Sequence, residues 1–155
     1  MTIKLRKYKK SDLKRHLEIF LMNGIYKKIN PKIEKQEKEW LDKAIENYKK
    51  EKPGFYVLAI TLDGKLIGNC IAEKIDYKGK TAEIGFWIGK DYWNKGYTTK
   101  ALGLFFKRIK DKLDLKKVHA KHERGNPASG RVLEKDGFTF EEEKGKLIAY
   151  SKTLK

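Results

Sequence analysis

The sequence predicts one layered α/β domain in which a sheet is flanked by about four helices. Four segments carry apolar residues at helical spacing, and seven shorter ones carry the alternating or continuous apolar patterns that are typical of strands. Their order is β-α-α-β-β-β-α-β-α-β-β, which fits a single layered fold. At 155 residues the chain can bury roughly two thirds of its unfolded surface, and no linker or repeat divides it. We therefore expect one domain over residues 1–155.

The first elements are a short strand and two helices. Alternation of apolar and polar residues around Ile3 predicts the strand. Ser11 and Asp12 can cap the helix that follows, and its end is expected near Gly24. A proline suited to a first helical turn begins the second helix, which we expect over residues 31–50.

A meander of three strands follows the second helix. Strands are expected over residues 55–61 and 65–76, joined by Asp63-Gly64, which is a strong hairpin turn. The third strand covers residues 82–88, and its apolar and aromatic composition predicts that it is buried.

The C-terminal part also alternates between strand and helix signals. We expect a strand over residues 116–123, a helix over residues 127–136, and Gly137 as the cap that ends this helix. Residues 138–143 and 146–153 then form a terminal hairpin.

A polar loop that contains a glycine joins the buried third strand of the meander to the next helix. The stretch over residues 81–106 reads TAEIGFWIGKDYWNKGYTTKALGLFF. Free N–H groups at the start of such a helix bind phosphate groups well, and Lys95 adds a cation beside Gly96. The same pattern fits an ordinary strand-to-helix connection that binds nothing, so the spacing alone leaves both interpretations open.

The charge of the chain favours anionic partners. The formal net charge is +16, which fits RNA, an acidic protein surface or a phosphate-rich cofactor. The positive charge is mostly lysine spread over the whole chain, and this profile also suits the solvated surface of a thermophilic protein.

The sequence indicates a cytoplasmic protein without a membrane span. No apolar run approaches the length of a span, and Met1 opens directly into a strand pattern rather than a signal peptide. The single cysteine, Cys70, lies in an apolar strand, so we expect a small buried side chain rather than a nucleophile. No cluster of histidine, cysteine and carboxylate residues has metal-ligand spacing, and no Gly-x-Ser-x-Gly motif is present. We therefore predict no bound metal and no covalent acyl-enzyme.

Three motifs occur in order along the chain. They read EIGFWI over residues 83–88, YWNKGYTTKA over residues 92–101, and NPAS over residues 126–129 followed by LEKDGF over residues 133–138. In this order and at this spacing they resemble the GNAT superfamily of N-acetyltransferases. Within it, the chain is most similar to the branch that acetylates the N-termini of ribosomal proteins, and the resemblance covers nearly the whole chain.

The resemblance implies a mixed, mostly antiparallel central sheet whose fourth strand splays away from the fifth. It also implies acetyl-CoA as cosubstrate, with the pantetheine arm along the exposed edge of the fourth strand. Main-chain N–H groups near Trp87, Ile88 or Gly89 would donate to the acetyl oxygen, and Asn126 would hydrogen-bond the pantetheine. The pyrophosphate would lie against the loop and the first helical turn, formed by Trp93, Asn94, Lys95, Gly96, Tyr97, Thr98 and Thr99.

The chain departs from the family pattern at two places. In the cofactor loop, Asn94 and Thr98 stand where smaller residues are more usual, but the cradle needs main-chain N–H groups rather than these side chains. Leu133 occupies the position at which many relatives carry a tyrosine as general acid. In branch members without that tyrosine, the resemblance assigns the role to the serine at the position of Ser129.

Acetyl transfer from a thioester to an amine requires a neutral amine and a proton donor for the leaving thiolate. Glu83 is the candidate base, acting through water, and Ser129 is the candidate acid. Both have another interpretation: Glu83 could be a surface carboxylate at the start of a strand, and Ser129 could cap the helix that begins near Pro127. His122 could approach the site, although a packed or solvated histidine is favoured.

The sequence therefore predicts an acetyl-CoA-dependent N-acetyltransferase that works by direct attack in a ternary complex. Its predicted substrate is a protein N-terminal α-amine of the ribosomal-protein type. A small amine such as a polyamine or an aminoglycoside is the alternative, and a non-catalytic module that binds acyl-CoA or RNA is a third interpretation. The positive charge is compatible with a place near the ribosome or RNA, and a homodimer is left open.

Overall fold

The computed structural model describes residues 1–155, which form seven strands and four helices. The strands are β1 (Ile3–Arg6), β2 (Tyr56–Leu62), β3 (Lys65–Asp76), β4 (Thr81–Ile88), β5 (Lys117–Glu123), β6 (Thr139–Lys144) and β7 (Leu147–Thr153). The helices are α1 (Leu13–Met22), α2 (Pro31–Asn47), α3 (Tyr97–Leu113) and α4 (Pro127–Lys135), and short 3-10 turns lie at Lys10–Asp12 and Lys90–Tyr92. The predicted order of elements is confirmed, and the bounds differ by only a few residues.

All seven strands belong to one sheet, in the order β1-β2-β3-β4-β5-β7-β6. Every neighbouring pair is antiparallel except β4 and β5, which are parallel. The mixed, mostly antiparallel sheet expected from the resemblance is therefore confirmed.

The parallel strands β4 and β5 pair over a short distance and then separate. Their register joins Thr81 to Lys117, Ala82 to Val118 and Glu83 to His119. Beyond these pairs, β4 continues beside β3 as far as Ile88, while β5 continues beside β7 as far as Glu123. The two strands thus splay beyond Glu83, as predicted, and their facing edges are left open.

Helices cover both faces of the sheet. Helices α3 and α4 pack on one face, where the buried side chains include Phe105, Ile109 and Leu133. Helices α1 and α2 pack on the other face, around the buried side chains of Ile19 and Leu41. Apolar residues at helical spacing supply both layers, which is why the amphipathic pattern predicted the four helices correctly.

Two helix ends form as their sequences indicate. The side chain of Asn30 accepts a hydrogen bond from the N–H of Ile33 over 2.8 Å and so caps α2. At the end of α4, Gly137 has a φ of 85°, and the N–H of Phe138 reaches back to the carbonyl of Leu133 over 3.0 Å. This is the glycine-terminated helix end that the sequence predicted.

The start of α1 differs from the expectation. Asp12 makes no capping bond to α1. Its carboxylate instead accepts two hydrogen bonds of 2.8 Å from Arg6 and one of 2.9 Å from the N–H of Lys9. It therefore secures the 3-10 turn that precedes the helix, because a bidentate guanidinium is a stronger partner than a helical N–H. None of the four helices is both long enough and apolar enough to traverse a lipid bilayer.

Candidate active site

A cavity of about 470 Å³ lies between the end of β4, the start of α3 and the start of α4. It brings together all but two of the predicted site residues: Trp87, Ile88, Trp93, Asn94, Lys95, Gly96, Tyr97, Thr98, Thr99, Asn126 and Ser129. Gly89 and Glu83 are not part of its lining. A larger and more open groove of about 860 Å³ lies against the other end of α3, is lined by several lysines, and contains none of these residues.

The loop before α3 is shaped to present main-chain N–H groups. Asn94 has a φ of 59° and Gly96 a φ of 79°, so two left-handed residues curve the backbone just before the helix. Asparagine tolerates this conformation better than most residues, which accounts for Asn94 at this position. The first N–H groups of α3 have no intrahelical acceptor, and no side chain of Gly96 can cap them. Such a concave run of N–H groups suits a phosphate.

Cations surround this loop. Lys95 belongs to it, and Arg131 and Lys135 line the same cavity from α4. These last two residues were missed by the sequence reasoning. Their spacing of four residues, which puts them on one face of a helix, was the signal that could have identified them.

The hydrogen-bonded pairing of β4 with β3 determines which N–H groups of β4 face the opening toward β5. The N–H of Gly89 donates to the carbonyl of Ile67 over 2.7 Å and is therefore used in pairing with β3. Because antiparallel neighbours alternate between bonded and non-bonded pairs, the backbone polar groups of Phe86 and Ile88 point the other way, into the opening beside β5. Among the three residues predicted to supply the donor, only Ile88 faces the opening.

The carbonyl of Ile88 is held by two side chains. The indole Nε1–H of Trp93 and the amide Nδ2–H of Asn23 each donate to it over 3.0 Å. Asn23 was not among the predicted residues, since nothing in the sequence near the end of α1 indicates a contact with β4. It lines the cavity as well.

Ser129 and Asn126 contact each other at the start of α4. The amide Nδ2–H of Asn126 donates to the hydroxyl of Ser129 over 2.9 Å. Asn126 makes no side-chain capping bond to the helix. The hydroxyl of Ser129 is half-buried and lies at the cavity, where it can approach a bound group.

Glu83 lies away from this cavity, at the point where β4 and β5 stop pairing. Its side chain is 22% exposed, and its carboxylate forms an ion pair with Lys74, with the Nζ 3.1 Å from Oε2. A proton from a substrate in the cavity would therefore reach Glu83 only through water. Its role as a base stays a prediction.

His122 is buried beneath α4. Its Nδ1 lies 2.7 Å from the carbonyl of Glu123, which can only accept, so this nitrogen carries the proton. Its Nε2 lies 3.3 Å from the hydroxyl of Tyr150, and the two rings are stacked. A Cβ added at Gly130 would lie 2.8 Å from Nε2, so the helix backbone passes directly over the ring. The histidine is packed, which was the favoured interpretation.

A buried aromatic cluster supports Trp87 from the α1 and α2 side. The ring of His16 stacks on Trp40 at 5.1 Å and lies 5.7 Å from Trp87. Its Nε2 bonds to Glu37 over 3.1 Å, which ties α1 to α2. Burial lowers the pKa of His16 despite the opposing effect of Glu37, so the imidazole is neutral at neutral pH.

The thiol of Cys70 takes no part in the chemistry of the cavity. Cys70 is fully buried, as predicted, and burial raises the pKa of its thiol. No three histidine, cysteine, aspartate or glutamate side chains are grouped so that they could hold a metal ion.

The comparisons with known proteins agree with this fold. The family model described as an acetyltransferase (GNAT) domain matches residues 2–139. A putative ribosomal N-acetyltransferase of Bacillus subtilis, YdaF, is 34% identical over 79 residues, which are 51% of this chain and 43% of that protein. A ribosomal-protein-serine acetyltransferase of Escherichia coli is 29% identical over 79 residues, covering 51% of this chain and 44% of that protein. The chain thus aligns with about half the length of these relatives.

A solved structure is similar over the whole chain. It is RimL, described as a ribosomal L7/L12 alpha-N-protein acetyltransferase in complex with coenzyme A, with a TM-score of 0.84 at 18% identity. The likeness covers 99% of this chain and 95% of that one, and at this identity it concerns the fold alone. Because the family model spans most of the sequence, the resemblance drawn from the three motifs is confirmed, and the chain belongs to the GNAT acetyltransferase domain family.

Proposed function

We propose that this protein is an acetyl-CoA-dependent N-acetyltransferase that moves an acetyl group to a primary amine. The proposal rests on the cavity at the point where β4 and β5 separate. This cavity is lined both by the phosphate-binding loop before α3 and by the open edge of β4. A ligand in which a pyrophosphate is joined to an extended, amide-containing arm fits both features. Acetyl-CoA has this shape.

The residues present suit acetyl-CoA. The pyrophosphate would accept hydrogen bonds from the first N–H groups of α3, beside the cation of Lys95. Arg131 and Lys135 add positive charge for the third phosphate of acetyl-CoA, which is on the ribose. The pantetheine arm would pair with the edge of β4 at Phe86, since the carbonyl of Ile88 already accepts from Asn23 and Trp93. Asn126 lies opposite and can reach the amides of the arm.

The reaction needs no covalent enzyme intermediate. The neutral amine attacks the thioester carbonyl carbon, a C–N bond forms, and the C–S bond then breaks. The N–H of Ile88 is the donor for the developing oxyanion. Glu83 first accepts one proton of the substrate ammonium through water, which leaves the neutral amine that attacks. The nitrogen loses a second proton as the amide forms, and Ser129, which donates to the departing sulfur, relays this proton to the thiolate, so that the products are the amide and the free thiol of CoA.

The acceptor that we propose is a protein N-terminal α-amine of the ribosomal-protein type. Support comes from the relatives and neighbours, whose names refer to ribosomal-protein acetylation. The net charge of +16 suits a protein that works near RNA, and a cytoplasmic location belongs to the same proposal. Polyamines and aminoglycosides are the alternative acceptors.

A turnover assay across three acceptor classes tests this proposal. Thiol release from acetyl-CoA is measured with peptides that carry free N-termini, with the same peptides blocked by formylation, and with polyamines and aminoglycosides. The proposal expects turnover with free peptides and none with blocked ones. Turnover with small amines alone overturns the proposed acceptor. Salt-sensitive RNA binding without any thiol release overturns the enzymatic proposal and favours a binding module.

A further inference from the structure

Asn23 joins the end of α1 to Ile88, the last residue of β4, and to Lys90, two residues further along the chain. Its Nδ2–H donates to the carbonyl of Ile88 over 3.0 Å, and its Oδ1 accepts from the N–H of Lys90 over 2.7 Å. One partner is a carbonyl and the other an N–H, so the orientation of the side-chain amide is fixed by its partners. A single side chain thereby spans a peptide segment that lies 65 residues further along the chain.

The two peptides between Ile88 and Lys90 have every polar group bonded. The Ile88 carbonyl accepts from Asn23 and Trp93, and the N–H of Gly89 donates to the carbonyl of Ile67. The Gly89 carbonyl accepts from the N–H of Tyr92 over 2.9 Å, and the N–H of Lys90 donates to Asn23. Asn23 supplies a partner to each peptide. The segment is therefore held in one orientation beside the cavity that Ile88 lines.

Two residues of α1 contact this segment and the 3-10 turn that follows it. A Cβ added at Gly89 would lie 2.9 Å from the sulfur of Met22, so the helix end packs directly on the backbone. The guanidinium of Arg15 donates to the hydroxyl of Tyr92 over 3.0 Å. Helix α1 thus packs behind the turn that leads into the cofactor loop. Asn23, at the end of this helix, makes the hydrogen bonds to the backbone of Ile88 and Lys90.

We propose that Asn23 is a positioning residue for acetyl transfer, which holds the end of β4 so that the N–H of Ile88 stays aimed into the opening. The inference rests on the proposed function. The orientation of the Ile88 N–H depends on the peptide that follows it, and Asn23 fixes that peptide. An oxyanion donor must lie within about 3 Å of the developing charge, and a misplacement of about 1 Å can lower the rate about a hundredfold.

The test compares Asn23→Ala with Asn30→Ala. Asn30→Ala is the matched control, because it removes the cap of α2 and so lowers stability without touching the cavity. We expect Asn23→Ala to lower kcat about tenfold or more, with the Kd for acetyl-CoA changed less than about threefold, since the cradle before α3 is intact. Asn23→Asp keeps the acceptor for Lys90 but sets an oxygen against the Ile88 carbonyl, so we expect kcat to fall at least as far.

Amide hydrogen exchange gives a second readout that does not depend on turnover. Asn23→Ala should accelerate exchange at Gly89 and Lys90, and Asn30→Ala should not. Unchanged exchange at these amides, or equal losses of kcat per folded molecule in both alanine variants, overturns the inference. A wild-type protein that transfers no acetyl group to any amine overturns the proposed function instead, and the exchange result alone then decides whether Asn23 holds the segment.

Discussion

The side-chain amide of Asn126 donates a hydrogen bond of 2.9 Å to the hydroxyl oxygen of Ser129. The hydroxyl acts as an acceptor in this bond, so its own proton remains available to a third group. This arrangement differs from helix capping, in which the serine oxygen would accept from a backbone N–H. The hydroxyl of Ser129 can therefore still donate to the thiolate, which is the role predicted for it.

Ser129→Ala should lower kcat about ten- to a hundredfold, because a donor to the leaving group acts mainly in the transition state. The affinity for acetyl-CoA should change little. Steady-state kinetics and a direct acetyl-CoA titration measure the two effects separately. Ser11→Ala, in the exposed 3-10 turn before α1, is the control. Normal turnover per folded molecule, combined with a loss of stability, would assign Ser129 to the helix start.

Acetyl-CoA should raise the melting temperature of the wild-type protein, since it binds the folded state. Gly96→Val should remove most of this rise, because a valine both opposes the left-handed backbone and blocks approach to the first N–H groups of α3. Gly64→Val is the matched control: Gly64 also has a positive φ and open space around it, but it lies outside the cavity lining. Its variant should be destabilised yet show a normal ligand-induced rise. No rise in the wild type at millimolar acetyl-CoA would contradict the assignment of the cosubstrate.

Glu83→Gln should be slow at neutral pH and recover part of its rate in alkaline buffer. The amide keeps the shape of the side chain but cannot accept a proton, and alkaline buffer supplies free amine without help. The measurement is the pH profile of kcat/KM with a strongly basic amine. Glu73→Gln is the control, because Glu73 lies directly across from Glu83 on β3. If both variants match the wild type at every pH, Glu83 serves only as the ion-pair partner of Lys74.

Asp12→Asn should destabilise the protein at neutral pH by about 1–3 kcal/mol, through loss of charged hydrogen bonds. Burial by itself raises the pKa of the Asp12 carboxyl, but the hydrogen bonds from Arg6 and from the N–H of Lys9 outweigh it and lower the pKa below 3.8. A lowered folded-state pKa gives stability that is present above the unfolded value and is lost as the pH falls through the folded value. Urea unfolding of both proteins should show the difference shrinking as the pH falls below the ordinary pKa of an aspartate. A difference that persists in acid would mean that the charge is not its source.

Local patterns in the sequence determine most of the fold. The helix that ends at Gly137 and the loop that curves at Gly96 need only nearby residues, so both were predictable. The donor at the end of β4 was not, because the choice among Trp87, Ile88 and Gly89 depends on the register with β3, through the bond from Gly89 to Ile67. Register is set by long-range pairing rather than by neighbours in the chain.

The same limit explains why the sequence did not predict the contact of Asn23 with β4 or the ion-pair partner of Glu83. Asn23 contacts Ile88 across 65 positions, and no periodic pattern links a helix end to a particular strand end. The ion pair of Glu83 with Lys74 depends on an irregularity in the pairing of β3 with β4, where Lys74 has a φ of 49°. Motif spacing predicts which residues gather in a site, whereas their hydrogen-bond partners follow from the packing.

The splay between β4 and β5 also bears on aggregation. An unpaired strand edge normally invites a strand from another molecule. The two outer edges of this sheet are poor templates, because β1 has four residues and β6 is exposed throughout and carries three consecutive glutamates. The edge opened for a ligand lies inside the sheet, with β5 across the opening, so a strand of another molecule has less room to align along it than along an outer edge. The protein can therefore keep backbone groups free for a ligand without offering them to its neighbours at high concentration.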